Sequence, residues 1–202
     1  IQDYEATGEP TNRLIWADVV ARILNYETGE YQYYTSLQAA IDAVKPGETK
    51  TIEMLVAEYA ITQTLTFTDT GTGAPQKITL TTAQDTEYLP EGTVTRLYRP
   101  VDNESSPTAY TFTEDLFNLN SNGTGTEGML VNAQLTLDSI TIDGNGFNNA
   151  SGDKVGQGGY LFNVGSQATL TMGVDHFGTV SAPTIKNSYR NDWNLGGGAI
   201  RS

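Results

Sequence analysis

Residues 134–146, Gln-Leu-Thr-Leu-Asp-Ser-Ile-Thr-Ile-Asp-Gly-Asn-Gly, constrain the fold more tightly than any other stretch. Leu135-Thr-Leu137 and Ile140-Thr-Ile142 each alternate aliphatic and hydroxyl side chains. That is the period of a strand with one dry and one wet face. Only Asp138 and Ser139 separate the two runs. Neither is the Gly that a two-residue hairpin turn usually needs, so a shallow corner is expected in place of a reversal.

The pattern recurs. Leu116-Phe-Asn-Leu119 precedes the first copy, and Leu161-Phe-Asn-Val164 precedes Ala168-Thr-Leu-Thr-Met172. Thr184-Ile-Lys-Asn187 stands where Ile140-Thr-Ile142 stood, and Gly196-Gly-Gly-Ala-Ile200 starts the motif again. Short strands that cannot bury an apolar face alone must stack on their neighbours. The repeat predicts an all-β parallel solenoid with three strands per turn. It forms one domain over residues 1–202, or the N-terminal fragment of one. The cap region covers 1–50, and turns with loop insertions cover 51–202. The polar start and the mid-repeat end at Arg201-Ser202 suggest a piece of a longer protein.

Net charge is −13 although only 17% of residues are charged. Phosphates would be repelled and no basic stripe exists, so nucleic acid is not an expected partner. An anionic membrane surface is disfavoured for the same reason. No apolar run is long enough to span a bilayer, so no membrane insertion is expected in this segment. The chain has no cysteine, which removes disulfides and thiolate chemistry and is compatible with an extracellular Gram-positive protein.

Taken in order, residues 19–25 and 31–34 read as a hairpin around Glu27-Thr-Gly-Glu30. Residues 35–44 read as a helix, with Thr35 as N-cap and Gln38 completing a capping box. Leu37, Ala40, Ile41 and Val44 form its apolar stripe, and Lys45-Pro-Gly47 ends it. Residues 51–56, 64–68 and 77–82 read as the first three-strand turn. Residues 83–115 are a long excursion, expected as a β-hairpin arm. Asn118 and Asn163 occupy equivalent places and are expected to stack, while Thr136, Thr141 and Thr171 are expected to face outward.

Candidate chemistry is sparse. His176 is the only histidine, so no site built on two histidines can form. Asp143-Gly-Asn-Gly-Phe-Asn-Asn149 has the composition of a calcium loop but not the spacing or the closing Glu of an EF-hand. No metal site and no cofactor are expected; Asp143 and Asn145 are weak metal candidates, with calcium the one alternative. Asp138, Asp143, Asp175 and Asp192 are acids whose spacing selects no hydrolytic pair. Lys186 and Arg190 are cations that could abstract a proton from a uronate, or simply be solvated. No catalytic residue is assigned. Tyr98, Tyr110, Phe147, Asn148 and Asn149 lie on the long insertions, with Tyr88 and Gln157. Aromatic rings and amides stack on sugars and bond polar ligands without needing charge.

The segment Tyr34-Thr-Ser-Leu-Gln-Ala-Ala-Ile-Asp-Ala-Val44, followed by Thr51-Ile-Glu-Met-Leu, resembles the opening of pectin-lyase-like right-handed parallel β-helices. The later strands and Gly-rich corners are similar to large Gram-positive surface adhesins. The resemblance covers roughly residues 34–202. It implies a right-handed β-helix with an N-terminal capping α-helix, in a secreted protein at the bacterial cell surface. It implies no enzymatic activity and a host glycan or extracellular protein as ligand; a monomer is expected. The same fold in lyases and glycoside hydrolases implies catalytic acids or bases and calcium. A structural spacer is the third alternative.

Overall fold

The computed structural model describes residues 3–4, 10–11, 19–67, 73–84, 87–119, 133–148, 151–152, 159–173, 182–188 and 199–201. Near the start, β1 (Asp3–Tyr4) and β2 (Pro10–Thr11) pair antiparallel. Then β3 (Ala21–Leu24) and β4 (Tyr31–Tyr34) form the expected hairpin. Its turn is held by Asn25, whose Oδ1 accepts from the Glu27 N–H at 2.9 Å. Gly29, with φ of 73°, takes the left-handed position there.

Helix α1 (Leu37–Ala43) follows. Its N-cap is Ser36, not Thr35: the Ser36 hydroxyl accepts from the Ala39 N–H at 3.1 Å. Gln38 closes no capping box. It holds the backbone of Thr66 instead, accepting from its N–H and donating to its carbonyl, both at 2.9 Å. The apolar stripe is as expected, with Leu37, Ala40, Ile41 and Val44 buried in the main core. Ile41→Asp is expected to cost about 3 kcal/mol, because it buries an unpaired carboxylate. A denaturant midpoint equal to wild type would show that the helix does not seal the core.

Among the described residues, twelve further strands follow. They are β5 (Thr49–Met54), β6 (Glu58–Ala60), β7 (Leu65–Thr66), β8 (Gln76–Thr82), β9 (Thr95–Tyr98) and β10 (Phe117–Leu119). After them come β11 (Ala133–Leu137), β12 (Ile140–Asp143), β13 (Phe162–Val164), β14 (Thr169–Met172), β15 (Thr184–Lys186) and β16 (Ile200–Arg201). From β5 onward each strand pairs in parallel with the third strand before or after it. The sheet orders are β14-β11-β8-β5-β3-β4, β15-β12-β9-β6 and β16-β13-β10-β7.

This corrects the expected all-β right-handed parallel β-helix with three strands per turn. The largest sheet is mixed, because β3 runs antiparallel to both β4 and β5. Two parallel four-stranded sheets and a single helix complete an α/β-like arrangement among the described residues. Alternation in a sequence reports which face of a strand is dry, but not the direction of its neighbour. The excursion at 83–115 is also corrected. Its strand β9 joins the β15-β12-β9-β6 sheet, and only the antiparallel bridge Val101–Tyr110 remains of the expected arm.

Within the sheets the expected faces hold. Leu135, Leu137, Ile140, Ile142 and Phe162 lie in the core, and Leu170 and Ile185 pack against it, partly buried. Thr136 and Thr141 are half-exposed and Thr171 is exposed. Asn118 and Asn163 are register partners, and Phe117 stacks on Phe162 with centroids 4.8 Å apart. The corner at Ser139 has φ of 46° and passes the chain from one sheet to the next.

Candidate functional site

The outward face of the β15-β12-β9-β6 sheet carries the densest polar network in the described chain. Register aligns Glu58, Arg96, Thr141 and Thr184 across it, and beside them Ala60, Tyr98, Asp143 and Lys186. Side chains two residues apart on one strand share a face, so the acids and bases of these two ranks meet diagonally.

Asp143 is the hub and is only 2% exposed. Its Oδ1 accepts from the Asn145 N–H at 2.8 Å and from Asn187 Nδ2 at 2.9 Å. Its Oδ2 accepts from Arg96 Nε at 2.8 Å and lies 3.5 Å from Lys186 Nζ. The carboxylate thus takes three hydrogen bonds and one further ion pair. Burial pushes the Asp143 carboxyl up, but the Arg96, Asn145 and Asn187 hydrogen bonds and the Arg96 charge outweigh it. The group stays below its ordinary range and is ionised.

Asn145 and Asn187 sit where the chain leaves β12 and β15, with φ of 54° and 52°. Asn tolerates this left-handed backbone better than most residues. The turn aims the Asn145 amide back across the face. Its Oδ1 accepts from Arg96 Nη2 at 3.1 Å, and its Nδ2 donates to the Arg99 carbonyl at 3.1 Å and to Glu104 at 3.2 Å. Arg96 also reaches Glu58 at 3.3 Å, and its guanidinium lies 4.3 Å from the Tyr98 ring centroid. Burial and the charges of Glu104 and Glu58 push the Tyr98 hydroxyl up, against the opposing pull of Arg96.

Two loops frame this face, and one buried cation ties them down. Arg99 is fully buried. Its Nη1 donates to the carbonyls of Phe112 at 2.9 Å and Glu114 at 2.6 Å. Its Nη2 donates to those of Gly159 and Tyr160, both at 3.3 Å. Burial lowers its pKa to about 10, with Tyr110, Asp115 and Glu114 opposing. The 159–160 backbone presses against 114–115 so closely that a Cβ on Gly159 would lie 2.3 Å from the Asp115 nitrogen. Within the first loop, Asp102 accepts from the Thr108 N–H at 2.8 Å, the Ala109 N–H at 3.1 Å and the Thr108 hydroxyl. The loop is thus held at both its base and its middle. Tyr110 comes to rest 5.1 Å from Phe147, ring centroid to centroid.

The structure therefore brings together Tyr98, Tyr110, Phe147, Asp143 and Asn145, all singled out in the sequence. Asn148 follows Phe147 and is exposed. Tyr88 is elsewhere, against Arg22 and Tyr33. Asn149, Gln157, Asp175, His176, Arg190 and Asp192 lie outside the described residues. Sequence reading missed Glu58, Arg96, Arg99, Glu104 and Asn187. Arg96 and Asp143 each occupy an outward strand position, but nothing local shows that β9 lies beside β12.

The same geometry gives the surroundings of the candidate metal ligands Asp143 and Asn145. The oxygens of Asp143 and Asn145 already accept from cationic and amide donors, so a cation would meet Arg96 and Lys186 first. Among the described residues no group of three His, Cys, Asp or Glu side chains could hold a metal ion. A separate open cleft of about 180 Å³ lies between the β3–β4 hairpin and the end of α1, lined by Asn25, Gln32, Tyr34, Glu48 and Lys50 among others. It shares no residue with the network around Asp143. Comparison with family models, curated proteins and solved structures finds nothing that matches this chain.

Proposed function

We propose that the chain is a non-enzymatic, adhesin-like binding domain of an extracellular bacterial surface protein, and that a host or glycan ligand docks on the face around Tyr98. One observation carries this reading. Tyr98, on β9, and the Tyr110–Phe147 pair, from two other segments, are half-buried, and Tyr98 stands beside a charge network whose members are paired with one another. Such a face offers rings and hydrogen-bonding groups for contact, held on rigid strands. Its buried acid, Asp143, is paired with Arg96 and Lys186. The pattern of strands and corners that resembles Gram-positive adhesins supports the same reading.

A lyase or glycoside hydrolase is the runner-up. It is disfavoured because glycoside hydrolysis uses two flanking carboxylates that reach the substrate, and Asp143 is buried among Arg96, Lys186, Asn145 and Asn187. Pectin, polygalacturonate and host glycans, with and without calcium, are expected to show no turnover. Turnover lost in Asp143→Asn or Asp138→Asn would overturn the binding-domain reading. A host-glycan and host-protein screen should yield a ligand whose affinity falls at least about tenfold in Tyr98→Ala and in Phe147→Ala, in line with loss of an aromatic anchor. A ligand bound equally by wild type and both variants would place the site on another face.

A further inference from the structure

The corner Asp143-Gly-Asn-Gly146 has a chemistry that the binding face does not use. Asn145 is followed by Gly146, which has no Cβ to shield its backbone nitrogen. In an open chain that nitrogen, once deprotonated, attacks Asn145 Cγ. The N–Cγ bond forms and the Cγ–Nδ2 bond breaks. The amide leaves as ammonia and takes up the proton that Gly146 gave up. Water then adds to one carbonyl of the five-membered imide and opens it to aspartate or isoaspartate. Water is the only co-reactant, and nothing is oxidised or reduced.

The fold opposes each part of this step. The Gly146 N–H donates to the Asn187 carbonyl at 3.1 Å, and the Gly144 N–H to the Lys186 carbonyl at 3.0 Å. An N–H that donates to a carbonyl resists deprotonation, because its anion would face an oxygen lone pair. The electrophile is held as well. Asn145 Oδ1 accepts from Arg96, and its Nδ2 donates to the Arg99 carbonyl and to Glu104. Ring closure must break these contacts and the Gly146 bond together. The backbone part of this protection comes from one place. Lys186 ends β15 and Asn187 follows it, and β15 is the outermost strand of its sheet. Thr184 and Lys186 are exposed, and only Ile185 packs against the core. A short outer strand with so little buried surface opens at lower free energy than the strands inside.

We propose that Asn145 is a latent deamidation site guarded by β15: opening of that strand exposes it to conversion, and conversion then releases the loop that carries Glu104. The product cannot restore the corner. A carboxylate at position 145 has no N–H for the Arg99 carbonyl, and it stands against Glu104 with like charge. Isoaspartate also adds a carbon to the backbone, which shifts Gly146 away from the Asn187 carbonyl. A reversible opening of the outer strand thereby becomes a permanent one, whatever ligand the face binds.

The test is peptide mapping by mass spectrometry of the whole chain during incubation at mildly alkaline pH. Asn122, also followed by Gly and outside the described residues, calibrates the rate in the unfolded chain. In fully unfolding urea both asparagines are expected to convert at comparable rates. Without urea Asn145 should convert at least about tenfold more slowly than in the unfolded chain. At intermediate urea its conversion should rise in step with hydrogen exchange of the Gly144 and Gly146 N–H groups, because a slow reaction of an opened state tracks the population of that state. Native Asn145 converting at its unfolded rate would overturn the guard. Asn145 intact in urea while Asn122 converts would overturn the latent site. Conversion that stays flat while the two glycine amides exchange freely would remove β15 from the mechanism. Asn145→Asp, the ordinary product written into the chain, should be cut within residues 100–115 faster than wild type in limited proteolysis. Equal cutting of the two proteins would overturn the release of the loop. Circular dichroism shows whether Asn145→Asp keeps its fold; where it does not, the same proteolysis on wild type aged to partial conversion gives the comparison.

Discussion

Arg99→Met should lower stability by roughly 3–5 kcal/mol and release the loop that carries Glu104 and Tyr110. The guanidinium is fully buried and donates to four carbonyls from two distant segments. Removing it takes a donor from each of these carbonyls, although that of Tyr160 keeps the Leu116 N–H at 3.0 Å; each buried group left unsatisfied costs on the order of 1–3 kcal/mol before relaxation. Met fills much of the volume, so the loss is one of polar partners more than of packing. Arg99→Lys should fall between the two, since an ammonium cannot span the fork that two Nη groups cover. Urea unfolding followed by circular dichroism measures the first effect. Limited proteolysis within residues 100–115 measures the second. A variant with wild-type midpoint and an uncut loop would show that the four contacts contribute nothing net.

Asp143→Asn should cost about 2 kcal/mol at neutral pH and alter the acid limb of the stability curve. The Asn Oδ1 can still accept from the Asn145 N–H and Asn187 Nδ2. Its Nδ2 would then face Arg96 Nε and Lys186 Nζ, donor against donor. Breaking a fully buried pair costs about 3–5 kcal/mol. Arg96, with a side chain 22% exposed, recovers some hydration, so the smaller figure applies. The sign of the pH effect follows from the lowered carboxyl pKa in the folded state. The contribution is fully present above the ordinary carboxylate value of 3.8. It is lost as pH falls through the lower folded value. Wild type should therefore lose this increment on acidification, while the Asn variant lacks it throughout. Parallel acid limbs for the two proteins would remove Asp143 from the account.

The contacts in these two predictions differ from those that the amino-acid order shows directly. Leu135, Leu137, Ile140 and Ile142 announce their dry face because alternation is a property of consecutive residues. The helix over Leu37–Ala43 is legible for a similar reason, with its stripe spanning two turns. Its cap was misread by one residue. Thr35 and Ser36 are chemically equivalent caps, and only the chain path into the helix selects Ser36. Tyr98, Tyr110, Phe147, Asp143 and Asn145 could be picked out as exposed or turn-forming groups. That they share one place could not.

Local periodicity and turn chemistry thus determined which residues are strands, which faces are buried and where the corners fall. Each of those rests on interactions within a few residues. Only the tertiary structure decided that β3 runs antiparallel between β4 and β5, which makes the largest sheet mixed. It alone placed β9 between β6 and β12, so that Arg96 meets Asp143 across 47 residues of chain. It alone set Arg99 between 112–114 and 159–160. Pairing partner, strand direction and register are long-range choices, settled by the total burial and hydrogen bonding of the assembled sheets. No short window of sequence contains both halves of such a contact.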